Sequence, residues 1–193
     1  GRIFEEKEFK QLIEFLKNYC YELQSFFLDR LKVYLRDEGY AHDIIDAVFA
    51  NQDDDLVRIV NRVKALSEFL KTSDGENLLA GFKRATNILK AEEKKGDLGQ
   101  NLVVNPQHLK ENAEKALFSA LQQNDAILTE KLQKEDFAGA MKTLAQCRAP
   151  IYDFLDNVLV NDNDQNIRLN RLALLQNLRQ QMHQVADFEQ IRG

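Results

Sequence analysis

Tryptophan is absent from this 193-residue sequence, and proline (two), cysteine (two), histidine (three) and glycine (eight) are scarce. Each shortage closes off a class of protein. So few glycines and prolines leave too little turn chemistry for a sandwich or barrel of many short strands. Cys20 and Cys147 cannot build a disulfide framework or a zinc cage; they fit a reducing cytoplasm and read as small buried hydrophobes. No run of about 18 apolar residues exists, so no membrane-spanning helix is expected. The opening GRIFEEKEFK is charged where the apolar stretch of a signal peptide would develop. Beginning Gly-Arg and not Met, the chain reads as a piece of something longer.

What remains is helix-forming material. Hydrophobic residues make up 44% and charged residues 30%, and Leu, Ala, Gln, Glu, Lys and Asn dominate. A globular chain of this size buries roughly 70% of its unfolded surface, enough for a core without staples. The net charge of −5 argues against nucleic acid only if the charges are evenly spread, and they are not. Asp37 to Asp55 holds seven acids and no Lys or Arg. Leu56 to Lys71 holds four basic residues against Glu68, and Gly81 to Lys95 five against Glu92 and Glu93. A phosphate feels the local patch and not the sum, so binding is permitted.

The punctuation implies a string of helices. Phe9 to Asp37 carries apolar residues at helical spacing and ends before Gly39, a C′ residue; a break near Tyr21 to Ser25 is conceivable in so long a helix. Ala41 to Ala50 is short and amphipathic. Asp53 to Asp55 cap a helix with Leu56, Ile59, Val60, Val63, Leu66 and Leu70 on one face. Ser73 and Glu76 form a capping box opening a helix to about Lys95. Gly96 to Asn105 is an irregular loop, and Asn105–Pro106 is a helix start, with the helix running to about Lys134. Phe137 to about Val160 follows, interrupted near Arg148 and Ala149 by Pro150. NDNDQN (161–166) turns into a last helix over 167–192. The expectation is an all-α helical bundle of about seven to nine helices, divided into subregions 1–98 and 99–193 or forming one continuous domain.

Catalytic groups do not converge in this pattern. His42, His108 and His183 are scattered, and His42–Asp43 lacks the upstream histidine that a metal phosphohydrolase dyad requires. Asp162, Asp164 and Asn166 alternate like the start of a calcium loop, but its sixth and twelfth positions hold Ile167 and Ala173, so a helix cap is the better account. No phosphate-binding glycine loop is present. Neither a metal site nor a cofactor site is expected. What is left is basic stripes: Arg58 with Arg62, Lys32 with Arg36, Lys83 and Arg84 with Asn87 a turn on, and Arg168, Arg171 and Arg179 within about 80° of one another on a helix. Such stripes are either solvated faces or tracks for a phosphate backbone, with Tyr, Arg and Asn available to stack on and read splayed bases.

Five blocks carry a family resemblance: FFLDRLKVYLRDEGYAHDIIDAVFA (26–50), LLAGFKRATNILKAEEK (78–94), ENAEKALFSAL (111–121), RAPIYDFLDNVLVNDNDQNIRLNRLALLQNLR (148–179) and VADFEQI (185–191). In order and spacing they resemble the C-terminal part of the bacterial glycyl-tRNA synthetase beta subunit. That family's C-terminal region resembles the helical DALR anticodon-binding module shared with arginyl-tRNA synthetase, although the tetrapeptide Asp-Ala-Leu-Arg does not occur here. The resemblance implies a cytoplasmic bacterial ligase of two alpha and two beta chains. ATP and Mg would be used on the alpha subunit, and this stretch would itself be non-catalytic, gripping the anticodon end of glycine tRNA. It implies tRNA contact by Arg30, Arg36, Lys83, Arg84, Asn87, Arg168, Asn170 and Arg171, with Tyr34 and Tyr40 as stacking platforms or core. Alternatives are a subunit-packing module of the same enzyme, or the anticodon-binding domain of an arginyl-type synthetase.

Overall fold

The computed structural model describes residues 6–96, 98–99 and 101–192, with side chains from Lys10 onward. Among the described residues eight α-helices follow one another: α1 (Glu6–Asp37), α2 (His42–Phe49), α3 (Leu56–Leu70), α4 (Ser73–Glu93), α5 (Asn112–Gln133), α6 (Phe137–Ala145), α7 (Arg148–Asn157) and α8 (Gln165–His183). Short 3-10 turns at Pro106–His108 and Phe188–Gln190 complete the fold, and no strand occurs among the described residues. The all-α expectation holds, and the helix count falls within the expected range.

Helix α8 is the axis of the packing. Leu172, Ala173, Leu174, Leu175, Leu178 and Met182 are buried, and so are the polar Asn170, Arg171, Gln176 and Gln181. Helices α4 and α5 pack on it, α7 lies against both of these, and α6 joins α5 to α3. Buried apolar side chains from Leu35 to Ile191 form one cluster, so residues on both sides of position 98 share the same core. Gly81 lets α7 close on α4, since a Cβ there would stand 3.2 Å from both Ile151 and Tyr152.

The helix ends show where local chemistry ruled. Gly39, at φ +92°, closes α1 with a Schellman motif in which Tyr40 N donates to Leu35 O and Gly39 N to Arg36 O. Asp55 and Asp164 cap α3 and α8 as expected. The cap of α4 is Thr72 and not Ser73, because the Thr72 hydroxyl accepts from Gly75 N at 3.1 Å. Asn105–Pro106 opens only a single 3-10 turn; α5 starts at Asn112, behind a reciprocal box between Glu111 and Glu114. The break before Pro150 falls at Gln146 and Cys147, which places the proline in the first turn of α7, where its missing N–H costs nothing. Helix α8 stops at His183, so Arg192 lies outside it.

Helix α1 departs most from its apolar pattern. It is unbroken over 32 residues, about 48 Å long, and outruns the bundle. Of its described side chains only Leu28, Leu31 and Leu35 reach the core, while Phe15, Tyr19, Tyr21, Phe26 and Phe27 are exposed. Cys147 is buried as expected, but Cys20, on this protruding stretch, is exposed.

Candidate nucleic-acid interface

Much of the basic charge that the sequence offers is consumed inside the fold. Arg171 is 4% exposed, and its Nε donates to Glu114 Oε1 at 2.9 Å. Its Nη1 reaches Leu159 O at 2.7 Å and Asp162 Oδ2 at 2.8 Å. Burial pulls the guanidinium pKa down, but Glu114 and Asp162 outweigh it, and the net direction is up. Asn170 is buried and clamps the 101–105 segment, accepting from Asn105 N and donating to Asn105 O. Arg168 pairs with the buried Glu92 and donates to Asn161 Oδ1 at 3.0 Å. Hydrogen bonds from Lys95 and Arg168 hold the Glu92 carboxyl below the ordinary range. These three of the eight candidates have their donors committed to the fold, because α8 is enclosed on nearly every side.

The other stripes sort in the same way. Arg62 is buried over the Phe137 ring (4.7 Å to the centroid) and donates to the carbonyls of Gln184 and Val185, tying α3 to the end of α8. Arg58 forms a fork with Asp53, both bonds at 2.6 Å, and holds that carboxyl at about 2 instead of 3.8. Arg179 pairs with Glu93 at 2.8 Å.

Five candidates stay at the surface. Arg30 and Arg36 are exposed on α1, Arg30 lying 6.0 Å over the Phe26 ring and Arg36 donating to its own helix at Lys32 O. On α4, Lys83 is half-buried, Asn87 is exposed, and Arg84 lies between Asp156 Oδ1 (2.9 Å) and the Tyr152 ring. Tyr34 is exposed beside them on α1, while Tyr40 packs against the core.

The structure adds two residues that the sequence reasoning passed over. Lys83, Asn87, Lys90 and Lys94 occupy one row of α4 within about 60°, a basic stripe roughly 16 Å long. The period was legible in the sequence; that the opposite face of α4 is the buried one (Leu78, Phe82, Ala85, Leu89) was the missing signal. Lys90 also bonds Glu189 at 2.7 Å, in a cluster where His183 Nε2 lies 3.1 Å from Asp187 and 3.3 Å from Glu189. The Lys90–Glu189 pair ties α4 to the C-terminal turn, while His183 Nε2 and Glu189 Oε1 are buried and make no hydrogen bond.

Comparison with known proteins bears on this arrangement. Residues 78–188, from the first turns of α4 to the final 3-10 turn, match the DALR anticodon binding domain. The chain is 52% identical over 172 residues to the glycine–tRNA ligase beta subunit of Phenylobacterium zucineum, covering 89% of this chain and 26% of that protein. The corresponding subunit of Ruegeria sp. is 46% identical over 173 residues, 89% of this chain and 25% of that protein. That of Cereibacter sphaeroides is 48% identical over 176 residues, 91% and 25% respectively. The chain thus spans about a quarter of the length of the curated relatives it matches.

Proposed function

Because the chain belongs to the DALR anticodon binding domain family, we propose that it is the anticodon-binding region of a glycine–tRNA ligase beta subunit. In this reading it grips the anticodon end of glycine tRNA in the cytoplasm, within a tetramer of two alpha and two beta chains. Formation of glycyl-adenylate from glycine and ATP, with Mg, belongs to the alpha subunit. The observation that carries the reading is the α4 row, which places cations and an amide at the start of the matched domain with a buried face behind them. Lys83, Arg84, Asn87 and Lys94 hold phosphates there, and Arg30 and Arg36 extend the field along α1. Arg168, Asn170 and Arg171 act behind the surface by holding α8 and the 101–105 segment in place.

The test uses the complete ligase carrying Lys83→Glu and Lys94→Glu together. The expected result is a KM for tRNA raised about tenfold, with tRNA-independent adenylate formation unchanged. The log–log salt slope of binding should flatten by about 1.4 for two lost single-strand phosphate contacts. Unchanged KM and slope would overturn the reading. One observation favours a second role beside it: the exposed aromatic face of α1 (Phe15, Tyr19, Phe26) suits packing against another part of the enzyme. Under that role Phe15→Asp would disturb subunit assembly and leave tRNA affinity unchanged.

A further inference from the structure

Three metal-ligating side chains converge where α8 gives way to the C-terminal turn. His183, the last residue of α8, places its Nε2 3.1 Å from Asp187 Oδ1 and 3.3 Å from Glu189 Oε2. Each residue can offer one ligand atom, and the three atoms lie within 4.8 Å of one another. Asp187 caps the 3-10 turn Phe188–Gln190, and that turn brings Glu189 to the same point. In the sequence His183 is one of three scattered histidines, because a turn and not a helical period supplies its carboxylates.

The contacts inside the cluster are close, yet the imidazole nitrogen is bonded to neither carboxylate. His183 Nε2 and Glu189 Oε1 are buried and make no hydrogen bond. A hydrogen on Nε2 that misses both oxygens points roughly 30–45° or more off each N···O line. At that limit, an ion about 2.1 Å out along the same direction stands about 2.0–2.4 Å from both oxygens, close to zinc bonding distances. Asp187 is already oriented from behind: Glu189 N donates to its Oδ1 at 3.2 Å and Gln190 Nε2 to its Oδ2 at 2.9 Å. The one cation that the two carboxylates share is Lys90, whose Nζ stands 2.7 Å from Glu189 Oε1. The Lys90 side chain is 48% exposed, so it can turn out to water, and Glu189 Oε2 stays available to an ion. Although Nε2 has no face open to water, an ion is smaller than water and sits among its ligands, and the His183 side chain, 41% exposed, keeps the cluster at the surface. One imidazole nitrogen with two carboxylate oxygens suits Zn²⁺ or a neighbouring first-row dication better than Mg²⁺ or Ca²⁺, which take oxygen ligands.

We propose that His183 Nε2, Asp187 Oδ1 and Glu189 Oε2 bind one Zn²⁺ ion, with water in a fourth position, and that the ion staples the end of α8 to the C-terminal turn. Lys90 balances the carboxylates in its absence and is the cation it displaces.

The test titrates Zn²⁺ into this chain by calorimetry near neutral pH, in a Cys20→Ser background that removes the exposed thiol. Co²⁺, titrated in the same way, reports its coordination through its visible bands. The expected result is one ion per chain, a Co²⁺ spectrum of lower than six-fold coordination, and a raised unfolding temperature with Zn²⁺. His183→Gln and Asp187→Asn should each weaken binding about tenfold or more, and His108→Gln should not. Lys90→Met removes the competing charge and should tighten binding about fivefold, a gain that no folding defect mimics. Affinity should fall as pH drops through about 6.5, because a protonated imidazole cannot ligate. Absence of saturable binding by the parent, undiminished binding by His183→Gln, or binding no tighter in Lys90→Met overturns the proposal.

Discussion

Replacing Arg171 by methionine removes the cation from Glu114, whose side chain has no solvent exposure. Methionine keeps most of the aliphatic stem, so the loss is chiefly electrostatic and not a cavity. Glu114 would retain two backbone donors, Lys110 N at 2.9 Å and Glu111 N at 2.6 Å, and no counter-charge. Asp162 and the Leu159 carbonyl would lose their shared donor as well. Removing one partner of a buried pair costs about 3–5 kcal/mol. With a urea slope of about 2 kcal/mol/M, the unfolding midpoint should drop by roughly 2 M. The double variant Glu114→Gln/Arg171→Met should recover about 1–3 kcal/mol relative to the sum of the two singles. Its amide still accepts from both backbone N–H groups but no longer carries a buried charge. Urea denaturation followed by circular dichroism at neutral pH reads both quantities. A single-variant cost under about 1 kcal/mol would refute the reasoning, since that is how a surface arginine behaves, and it would return Arg171 to the list of side chains available to RNA.

The two cysteines should separate by reactivity. Cys20 is exposed and should react with a thiol reagent in the native protein. Cys147, buried, accepting from Asn124 and with its thiol pushed up to about 11, should react only on unfolding; rapid labelling of both would contradict its burial. The Asp53–Arg58 fork should appear in acid. Because the folded pKa of Asp53 is lowered from 3.8 to about 2 by the Arg58 hydrogen bond, its contribution is present above about pH 4 and disappears as pH falls through 2. Allowing for solvent screening it amounts to about 1–2 kcal/mol. The stability gap between parent and Asp53→Asn should shrink over that window, and a gap constant down to pH 2 would count against the fork.

Where neighbours in the chain decide, the sequence was readable. Gly39 ends α1, Asp55 and Asp164 start α3 and α8, and Pro150 forces a break, because each acts on backbone groups within a turn of itself. The errors share one cause. Thr72 and Ser73 are both competent caps, and only the approach of Gly75 to the end of α3 selects Thr72: a Cβ on Gly75 would lie 2.1 Å from Phe69 O. Asn105–Pro106 has the chemistry of a helix start, yet Asn170 already holds both backbone groups of Asn105, and the helix waits for Glu111.

The sequence by itself determined an all-α chain, most of its helix boundaries and, through five ordered blocks, its family. These depend on local propensity, capping and pattern. It could not determine which arginines face water. Arg168 and Arg171 have the spacing of a solvated stripe and only moderately apolar neighbours. Their employment was decided by partners far along the chain, Glu92 and Glu114, once α4 and α5 had packed against α8. The same packing left Gln181 with an acceptor and no donor. Whether a polar side chain is a surface group, a strut or a binding site depends on the solvent and partners left to it. Only the tertiary structure allots those.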